Sequence, residues 1–158
     1  MKPAFVGCAL AGLVLGSLGA CSQSGGSQPL RPETFARQVS DDTVVLYWSC
    51  TRPGTGHLRV EGALSNPSVP GPIRDVDLTL YGVDGAGRDV SRVTGSTVRY
   101  QIPPMTDSPF RLDLSLAGGE VQFDLRYQYQ GAIGGGNSDD GGATAITSNL
   151  VRDACRGL

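Results

Sequence analysis

Charged residues are scarce in this sequence of 158 residues. Lys and Arg together number 13, Asp and Glu 15, and charged residues make up 18% of the chain. Nucleic-acid binding needs a cationic surface that neutralises phosphates, and this near balance does not provide one. Long helices and coiled coils are rich in Ala, Glu, Lys and Leu, whereas this chain has 23 Gly and 10 Pro. The composition therefore favours a turn-rich β domain and predicts no nucleic-acid partner.

The usual signatures of catalysis are also missing. His57 is the only histidine, and the sequence contains no Gly-x-Ser-x-Gly, His-Glu-x-x-His or Gly-x-x-x-x-Gly-Lys motif. Paired carboxylates remain, through Asp75 with Asp77 or Asp113 with Asp124, but these lie on the polar faces of alternating segments and are interpreted as sheet surface. We therefore predict no enzyme, no catalytic residue and no cofactor.

Only one long hydrophobic run is present, and it lies at the start of the chain. Residues 4–20 carry no charge and follow Lys2, which is the layout of a secretory signal peptide. A permanent transmembrane helix is the weaker interpretation, because 17 residues rich in Gly and Ala are short for a bilayer span.

The end of this run carries a recognisable motif. Leu18-Gly19-Ala20-Cys21 resembles the lipobox of bacterial lipoproteins. The resemblance implies cleavage between Ala20 and Cys21 and attachment of a diacylglycerol to the Cys21 sulfur, and two or three acyl chains anchor a protein stably. Polar, Gly- and Ser-rich residues then continue to position 30 as a flexible tether. We expect a cell-envelope protein held at the periplasmic side of a membrane, with the outer membrane favoured because Ser22, and not Asp, follows the cysteine.

The remaining cysteines are few. Once Cys8 leaves with residues 1–20 and Cys21 carries lipid, only Cys50 and Cys155 are left. In an oxidising envelope compartment two cysteines indicate one disulfide, here between an early strand and the tail. A zinc or redox site is the alternative, but two isolated cysteines and one histidine lack the necessary number and spacing of ligands, so no metal is predicted.

Residues 31–158 are predicted to form the folded domain. Residues 31–40 look polar and weakly helical; beyond them short segments alternate between apolar and polar positions, as expected for strands with one buried face. Turn residues such as Asp84-Gly85 and Pro103-Pro104 separate them. About seven such strands bury their apolar faces most simply in an immunoglobulin-like antiparallel β-sandwich, an all-β fold. The alternating segments are residues 44–48, 58–64, 76–81, 98–102, 110–116 and 121–129, with a weaker one at 90–93 and a last one near 143–150.

Residues 58–116 resemble the FxLYD-type domain, an immunoglobulin-like sandwich of bacterial and archaeal envelope proteins. The similarity is carried by Val60 to Asn66, by Val76 to Tyr81 followed by Asp84-Gly85, and by Ile102-Pro103-Pro104 with Ser108-Pro109-Phe110. The chain departs from the pattern at Gly82, where the family has Asp. The resemblance implies a fold and no catalytic activity.

Three local expectations concern the second half of the chain. Residues 117–120 are predicted to form a tight hairpin, which would place Arg111 and Asp113 beside Arg126 and Asp124 in cross-strand ion pairs. Residues 131–142, with six glycines, are predicted to be a mobile loop. Within that loop, residues 137–140 offer oxygen ligands for Ca²⁺ but lack the spacing of an EF-hand, so a solvated loop is favoured.

The expected function is non-enzymatic binding or scaffolding of a protein partner in the envelope, through sheet edges or the Gly-rich loop. The alternative is a lipoprotein that binds a small ligand or carbohydrate beside a transporter. That alternative needs a concave cluster of aromatics. The available aromatics are Trp48, Tyr81, Tyr100, Tyr127 and Tyr129, and the tyrosines at odd positions follow the apolar faces of their strands and are predicted to pack inside.

Overall fold

The computed structural model describes residues 34–67, 71–132 and 144–158. Nine β-strands form within these ranges, where about seven were predicted. β1 has no predicted counterpart, because Arg37–Ser40 lie in the segment 31–40 that was expected to be weakly helical. The strands are β1 (Arg37–Ser40), β2 (Val45–Gly54), β3 (His57–Asn66), β4 (Ile73–Asp84), β5 (Asp89–Ser96), β6 (Gln101–Ile102), β7 (Thr106–Ser115), β8 (Glu120–Ala132) and β9 (Thr144–Val151).

The strands form two sheets in which every pairing is antiparallel. Sheet A has the order β1-β2-β3-β7, and sheet B has the order β5-β4-β8-β9 with β6 beside the start of β4. The apolar faces of the two sheets pack on each other. This is an immunoglobulin-like β-sandwich, as predicted.

The alternation seen in the sequence produces the core. In β8, Phe123, Leu125, Tyr127 and Tyr129 are buried while the residues between them are more exposed. Each strand thereby places every second side chain between the sheets. The core also includes, from β2, β3 and β7 of sheet A, Leu46, Trp48, Leu58, Val60, Leu64, Phe110, Leu112 and Leu114, and, from β4 of sheet B, Ile73, Val76, Leu78 and Leu80.

Two irregularities change which side chains enter the core. Val121 was expected to face inward, but it is 71% exposed, because the register between β4 and β8 shifts at the start of β8 and Val121 falls in the irregularity. A second shift lies between Arg74 and Asp77. There Asp75 has a φ of 49°, and the extra residue allows both Ile73 and Val76 to be buried.

The strand predicted at residues 98–102 is wrong except for its last two residues, which form β6. Residues 97–100 instead connect β5 to β6, both in sheet B, and contact β7 of sheet A on the way. The backbone N–H of Val98 donates to the carbonyl of Pro109 (2.8 Å), and that of Arg99 donates to the Ser108 hydroxyl (2.9 Å). Val98 and Tyr100 are consequently 77% and 73% exposed.

The hairpin predicted at residues 117–120 is also wrong. β7 belongs to sheet A and β8 to sheet B, so Gly118 and Gly119, both with positive φ, turn the chain from one sheet to the other. The Glu120 carboxylate accepts hydrogen bonds from the backbone N–H groups of Ala117 (2.7 Å) and Gly118 (2.9 Å) and so holds this crossover.

Because β7 and β8 are in different sheets, the expected ion pairs between them do not form. Asp113 on β7 pairs with Arg59 on β3 (2.6 Å) and with Arg111 on its own strand (2.8 Å). Asp124 on β8 accepts hydrogen bonds from Gln122 (2.6 Å) and from the backbone N–H of Asp153 (2.9 Å).

Candidate functional site

The tail is fixed to both sheets at one end of the sandwich. Cys50 on β2 and Cys155 form a disulfide with a Cα–Cα distance of 5.7 Å, as predicted. The indole N–H of Trp48 donates to the carbonyl of Ala154 (2.7 Å), and the backbone N–H of Ala154 donates to the carbonyl of Phe123 on β8 (2.6 Å). Residues 152–157 therefore bridge sheet A and sheet B.

A carboxylate between the sheets forms a second fixed point. Asp41 follows β1, and its Oδ1 accepts hydrogen bonds from the backbone N–H groups of Thr43 (2.9 Å) and Val44 (2.8 Å). The same carboxylate accepts hydrogen bonds from Tyr129 (3.0 Å to both oxygens) and from Asn149 on β9 (2.8 Å), while the Tyr127 hydroxyl lies 3.4 Å away. Asp41 thus joins the β1–β2 turn of sheet A to two strands of sheet B.

Both tyrosines of this cluster are held in their neutral form. Burial raises the pKa of Tyr127 far above its usual range, and the Asp41 carboxylate acts in the same direction. Burial likewise raises the pKa of Tyr129. A neutral phenol donates a hydrogen bond to a carboxylate, so the cluster serves as a structural link between the sheets.

β9 forms one edge of sheet B, and no other described strand pairs with its outer side. All eight residues of β9, Thr144–Val151, pair with β8 in one unbroken register, and none of them is charged, Pro or Gly. In an antiparallel pair every second residue directs its N–H and C=O away from its neighbour. Ile146 and Leu150 are exposed on the outer face, at 72% and 45%. An edge of this kind is able to accept a further strand.

The other three edges are protected. β1 is only four residues long. β7 contains Pro109 and the charged residues Asp107, Arg111 and Asp113, and its carbonyl at Pro109 already accepts a bond from Val98. β5 carries Asp89 and Arg92 and has an irregular register with β4. Short length, charge, proline and irregularity are the features by which proteins block edge pairing.

The residues considered for catalysis do not form a site. His57 is exposed at the start of β3, opposite Gly54 and Ser115. Asp75 and Asp77 lie on either side of the β4 irregularity; Asp75 hydrogen-bonds the Tyr100 hydroxyl, which raises the pKa of Tyr100, and Asp77 accepts a bond from Gln128 (3.1 Å).

Asp113 and Asp124 lie in different sheets and serve separate contacts. Side-chain hydrogen bonds from Arg59 and then Arg111 lower the pKa of Asp113, which keeps it charged within the ion-pair group on the outer face of sheet A. No group of three or more His, Cys, Asp or Glu in the described ranges is arranged to hold a metal.

The aromatic side chains do not gather into a ligand platform. Tyr127 and Tyr129 are buried, as predicted, and Trp48 is buried as well. Tyr81 is half-buried beneath the Arg126 guanidinium, 5.7 Å from the ring centroid, and Tyr100 is exposed by itself. Three surface hollows of about 240, 330 and 440 Å³ each have one aromatic in their lining.

Several predicted features lie outside the described residues. They are the signal peptide at residues 1–20, the lipidated Cys21 with its tether to residue 30, and residues 133–142 of the predicted Gly-rich loop with its oxygen-rich segment 137–140. The first two residues predicted for that loop, Gly131 and Ala132, instead form the end of β8. The part of the chain that is described contains no helix long and apolar enough to cross a membrane.

Sequence analysis did not identify Asp41 or the β9 edge. Asp41-Asp42-Thr43 looks like any polar turn, and its meeting with β8 and β9 depends on how the sheets stack. The absence of charge from residues 144–151 was visible in the sequence, but only the strand order shows that this segment is an edge.

Comparison with known proteins finds one solved structure of similar fold. No protein-family model and no curated protein matches the chain. Among solved structures, the chain is similar to the yeast GGA1 GAE domain, with 13% sequence identity and a TM-score of 0.46 over 72% of this chain and 94% of that one. The resemblance of residues 58–116 to the FxLYD-type domain stays a prediction.

Proposed function

We propose that this chain is a lipid-anchored protein of the bacterial cell envelope whose β-sandwich binds, without catalysis, an extended segment of an envelope protein along β9. The observation that carries the proposal is the β9 edge, which no other described strand covers: eight uncharged residues pair with β8 in an unbroken register. Strand addition to such an edge derives affinity from main-chain hydrogen bonds and specificity from alternate side chains.

The surface chemistry of β9 defines the kind of partner. The outward-facing residues of β9 are Thr144, Ile146, Ser148 and Leu150, so the outer face of the edge is apolar and hydroxylic. A partner segment with β-branched or aromatic residues at alternate positions and few charges is complementary to it. A charged segment would gain no ion pair from β9.

The anchor has its own test. Cys21→Ser removes the predicted lipid attachment site, so we expect the chain to remain unprocessed or to leave the membrane fraction. Wild-type chain should accumulate as precursor in the presence of globomycin, which blocks lipoprotein signal cleavage. Maturation that is indifferent to globomycin and to Cys21→Ser would contradict the lipid anchor without bearing on β9. Fractionation of inner and outer membranes tests the favoured outer-membrane location.

The binding edge is tested by site-specific photo-crosslinking in intact envelopes. Ser148 on β9 and Ser96 on β5 make a matched pair, since both are exposed serines on opposite edges of sheet B. We expect a photo-reactive residue at position 148 to give a discrete adduct with another protein, and one at position 96 to give none.

A second variant ties the adduct to strand pairing. Ile146→Lys places a charge on the outer face of β9 and should abolish the adduct from position 148, whereas Thr94→Lys on β5 should leave it intact. An adduct of twice the chain's own mass would identify a second copy as the occupant and overturn the partner assignment. Equal adducts from positions 148 and 96 would overturn the proposal that β9 is the binding edge.

A further inference from the structure

A hollow with a volume of about 440 Å³ lies between β1 and the C-terminal turn. Three arginines and only one carboxylate, that of Asp153, contribute charge to its wall. The lining residues are Arg37, Gln38, Trp48, Val151, Arg152, Asp153, Ala154 and Arg156. The wall therefore has an excess of two positive charges in a chain whose overall charge is −2.

Arg37 is incompletely satisfied in this position. It lies on β1 opposite Trp48, and its Nη2 donates a hydrogen bond to the carbonyl of Arg156. Its Nε is buried and has no hydrogen-bond partner within the described ranges. A buried N–H of a charged group without an acceptor is costly, and a bound anion would remove that cost.

The other two arginines are also available to an anion. The Nε of Arg156 donates a hydrogen bond to the Asp153 carboxylate (2.8 Å), and the Arg156 side chain remains 82% exposed. Arg152 is exposed and forms no hydrogen bond or ion pair with any described residue. The single carboxylate of the wall is therefore already engaged by one arginine, which leaves Arg37 and Arg152 uncompensated.

The wall is held rigidly. The disulfide fixes Cys155 to β2, and the backbone of Ala154 is hydrogen-bonded on both sides, to Phe123 and to Trp48. The backbone N–H of Asp153 is held by Asp124 (2.9 Å). A site whose backbone is already fixed spends little entropy on binding, which favours affinity for a small ligand.

We propose that this hollow, referred to below as the arginine hollow, binds a tetrahedral oxyanion of the phosphate class. Guanidinium groups suit phosphate because they present paired donors in a planar fork and stay charged at every physiological pH. The phosphate group has two sources, a soluble phosphate or phosphomonoester and the headgroup of a phospholipid at the membrane surface. This proposal is independent of strand addition at β9.

The chain carries its own reporter of this site. Trp48 is the only tryptophan, it lines the hollow, and its indole bonds the carbonyl of Ala154 in the opposite wall. We expect the fluorescence of the full chain, purified in a nonionic detergent, to change saturably when sodium phosphate replaces sodium chloride at constant ionic strength. A second arm uses the same micelles doped with phosphatidylglycerol or with zwitterionic phosphatidylcholine.

Matched substitutions test whether the arginines are responsible. Arg152→Gln removes an exposed, unpaired charge from the wall, so the thermal midpoint should not change while the apparent dissociation constant for phosphate rises about tenfold, as expected for loss of one charge-assisted hydrogen bond. Arg92→Gln on β5 makes the same chemical change on another strand and should leave binding as in the wild type.

The possible outcomes distinguish a soluble phosphate from a lipid headgroup, and both from the absence of a phosphate site. A Trp48 signal that saturates with phosphate assigns a soluble ligand. A signal that responds to phosphatidylglycerol micelles but not to free phosphate assigns a lipid headgroup. A weaker or absent response of either kind in Arg152→Gln supports the site. A Trp48 signal that is unchanged in both arms overturns the proposal. Equal weakening by Arg92→Gln also overturns it, because the effect would then be one of general charge.

Discussion

Asp41 shows how one side chain determines the relation between two sheets. Its two oxygens accept hydrogen bonds from backbone and side-chain donors in the β1–β2 turn, β8 and β9. Bonds to a charged acceptor are stronger than neutral ones, and each donor left unsatisfied by its loss carries a further cost. The neighbouring Asp42 is exposed and makes no such contacts.

We expect Asp41→Ala to lower the free energy of unfolding by about 3 kcal/mol or more, because several hydrogen bonds are lost and two buried tyrosine hydroxyls lose their acceptor. Guanidinium titration followed by circular dichroism measures the effect. Asp42→Ala is the matched control and should fall within about 0.5 kcal/mol of the wild type. Equal effects of the two variants would show that the Asp41 contacts add nothing to stability.

At the scale of residues, the sequence predicted which tyrosines are buried but not which residue their hydroxyl groups contact. The inward orientation of Tyr127 and Tyr129 followed from the alternation of β8, which is a property of the local backbone. Their bond to Asp41 joins residues more than 80 positions apart, and no local pattern specifies such a contact.

At the scale of elements, the packing at the centre of sheet A requires a glycine at one position of β3. Gly62 on β3 is paired with Trp48 on β2 and Phe110 on β7. A Cβ at Gly62 would overlap the carbonyl oxygen of Tyr47 and lie 2.7 Å from the Phe110 ring. The Phe110 ring thus covers the backbone of β3 where other strands carry a side chain.

Gly62→Ala should therefore destabilise the protein by about 2 to 3 kcal/mol, since a methyl group inserted against backbone forces neighbouring strands apart. Gly85→Ala serves as the control, because a Cβ at Gly85 meets nothing within 4 Å. Chemical denaturation of both variants is the measurement. If Gly62→Ala were as stable as Gly85→Ala, the close packing of Phe110 on β3 would be disproved.

The sequence predicted that most of these segments form strands, but it did not predict which strands pair with each other. The alternating segments at 58–64, 76–81, 110–116 and 121–129 all form strands. The Gly-Gly sequence at 118–119 does reverse the chain, yet it leads into the other sheet. Turn chemistry sets the local bend, whereas the choice between a hairpin and a crossover depends on which strands β7 and β8 meet elsewhere.

At the scale of the whole molecule, the disulfide closes a long loop between β2 of sheet A and the tail. Cys50 and Cys155 are 105 positions apart, and the tail that carries Cys155 contacts both sheets through Ala154. Because the tail also forms one wall of the arginine hollow, the disulfide links the stability of the fold to the shape of that hollow.

Replacing both cysteines, Cys50→Ser with Cys155→Ser, should reduce the free energy of unfolding by about 4 kcal/mol in the chain-entropy model, because the unfolded chain regains the freedom of a long loop. Thermal unfolding of oxidised and reduced wild-type protein provides a parallel measurement. Trp48 emission should shift to longer wavelength as the tail loosens. An unchanged midpoint and an unchanged emission after reduction would contradict this role of the disulfide.

The amino-acid pattern was sufficient to predict the class of fold, the inward or outward direction of side chains along most strands, and the disulfide between Cys50 and Cys155. The alternation of apolar and polar residues is sufficient for the first two because it follows from local backbone geometry, in which successive side chains of a strand point to opposite faces. The disulfide follows from the number of cysteines, because only two remain after residues 1–21. The strand order and the stacking of the sheets were needed to see that no other described strand covers the outer side of β9, that Asp41 joins the sheets and that three arginines share one hollow. Each of these depends on the order and stacking of strands distant in sequence, which the cooperative burial of the whole core selects.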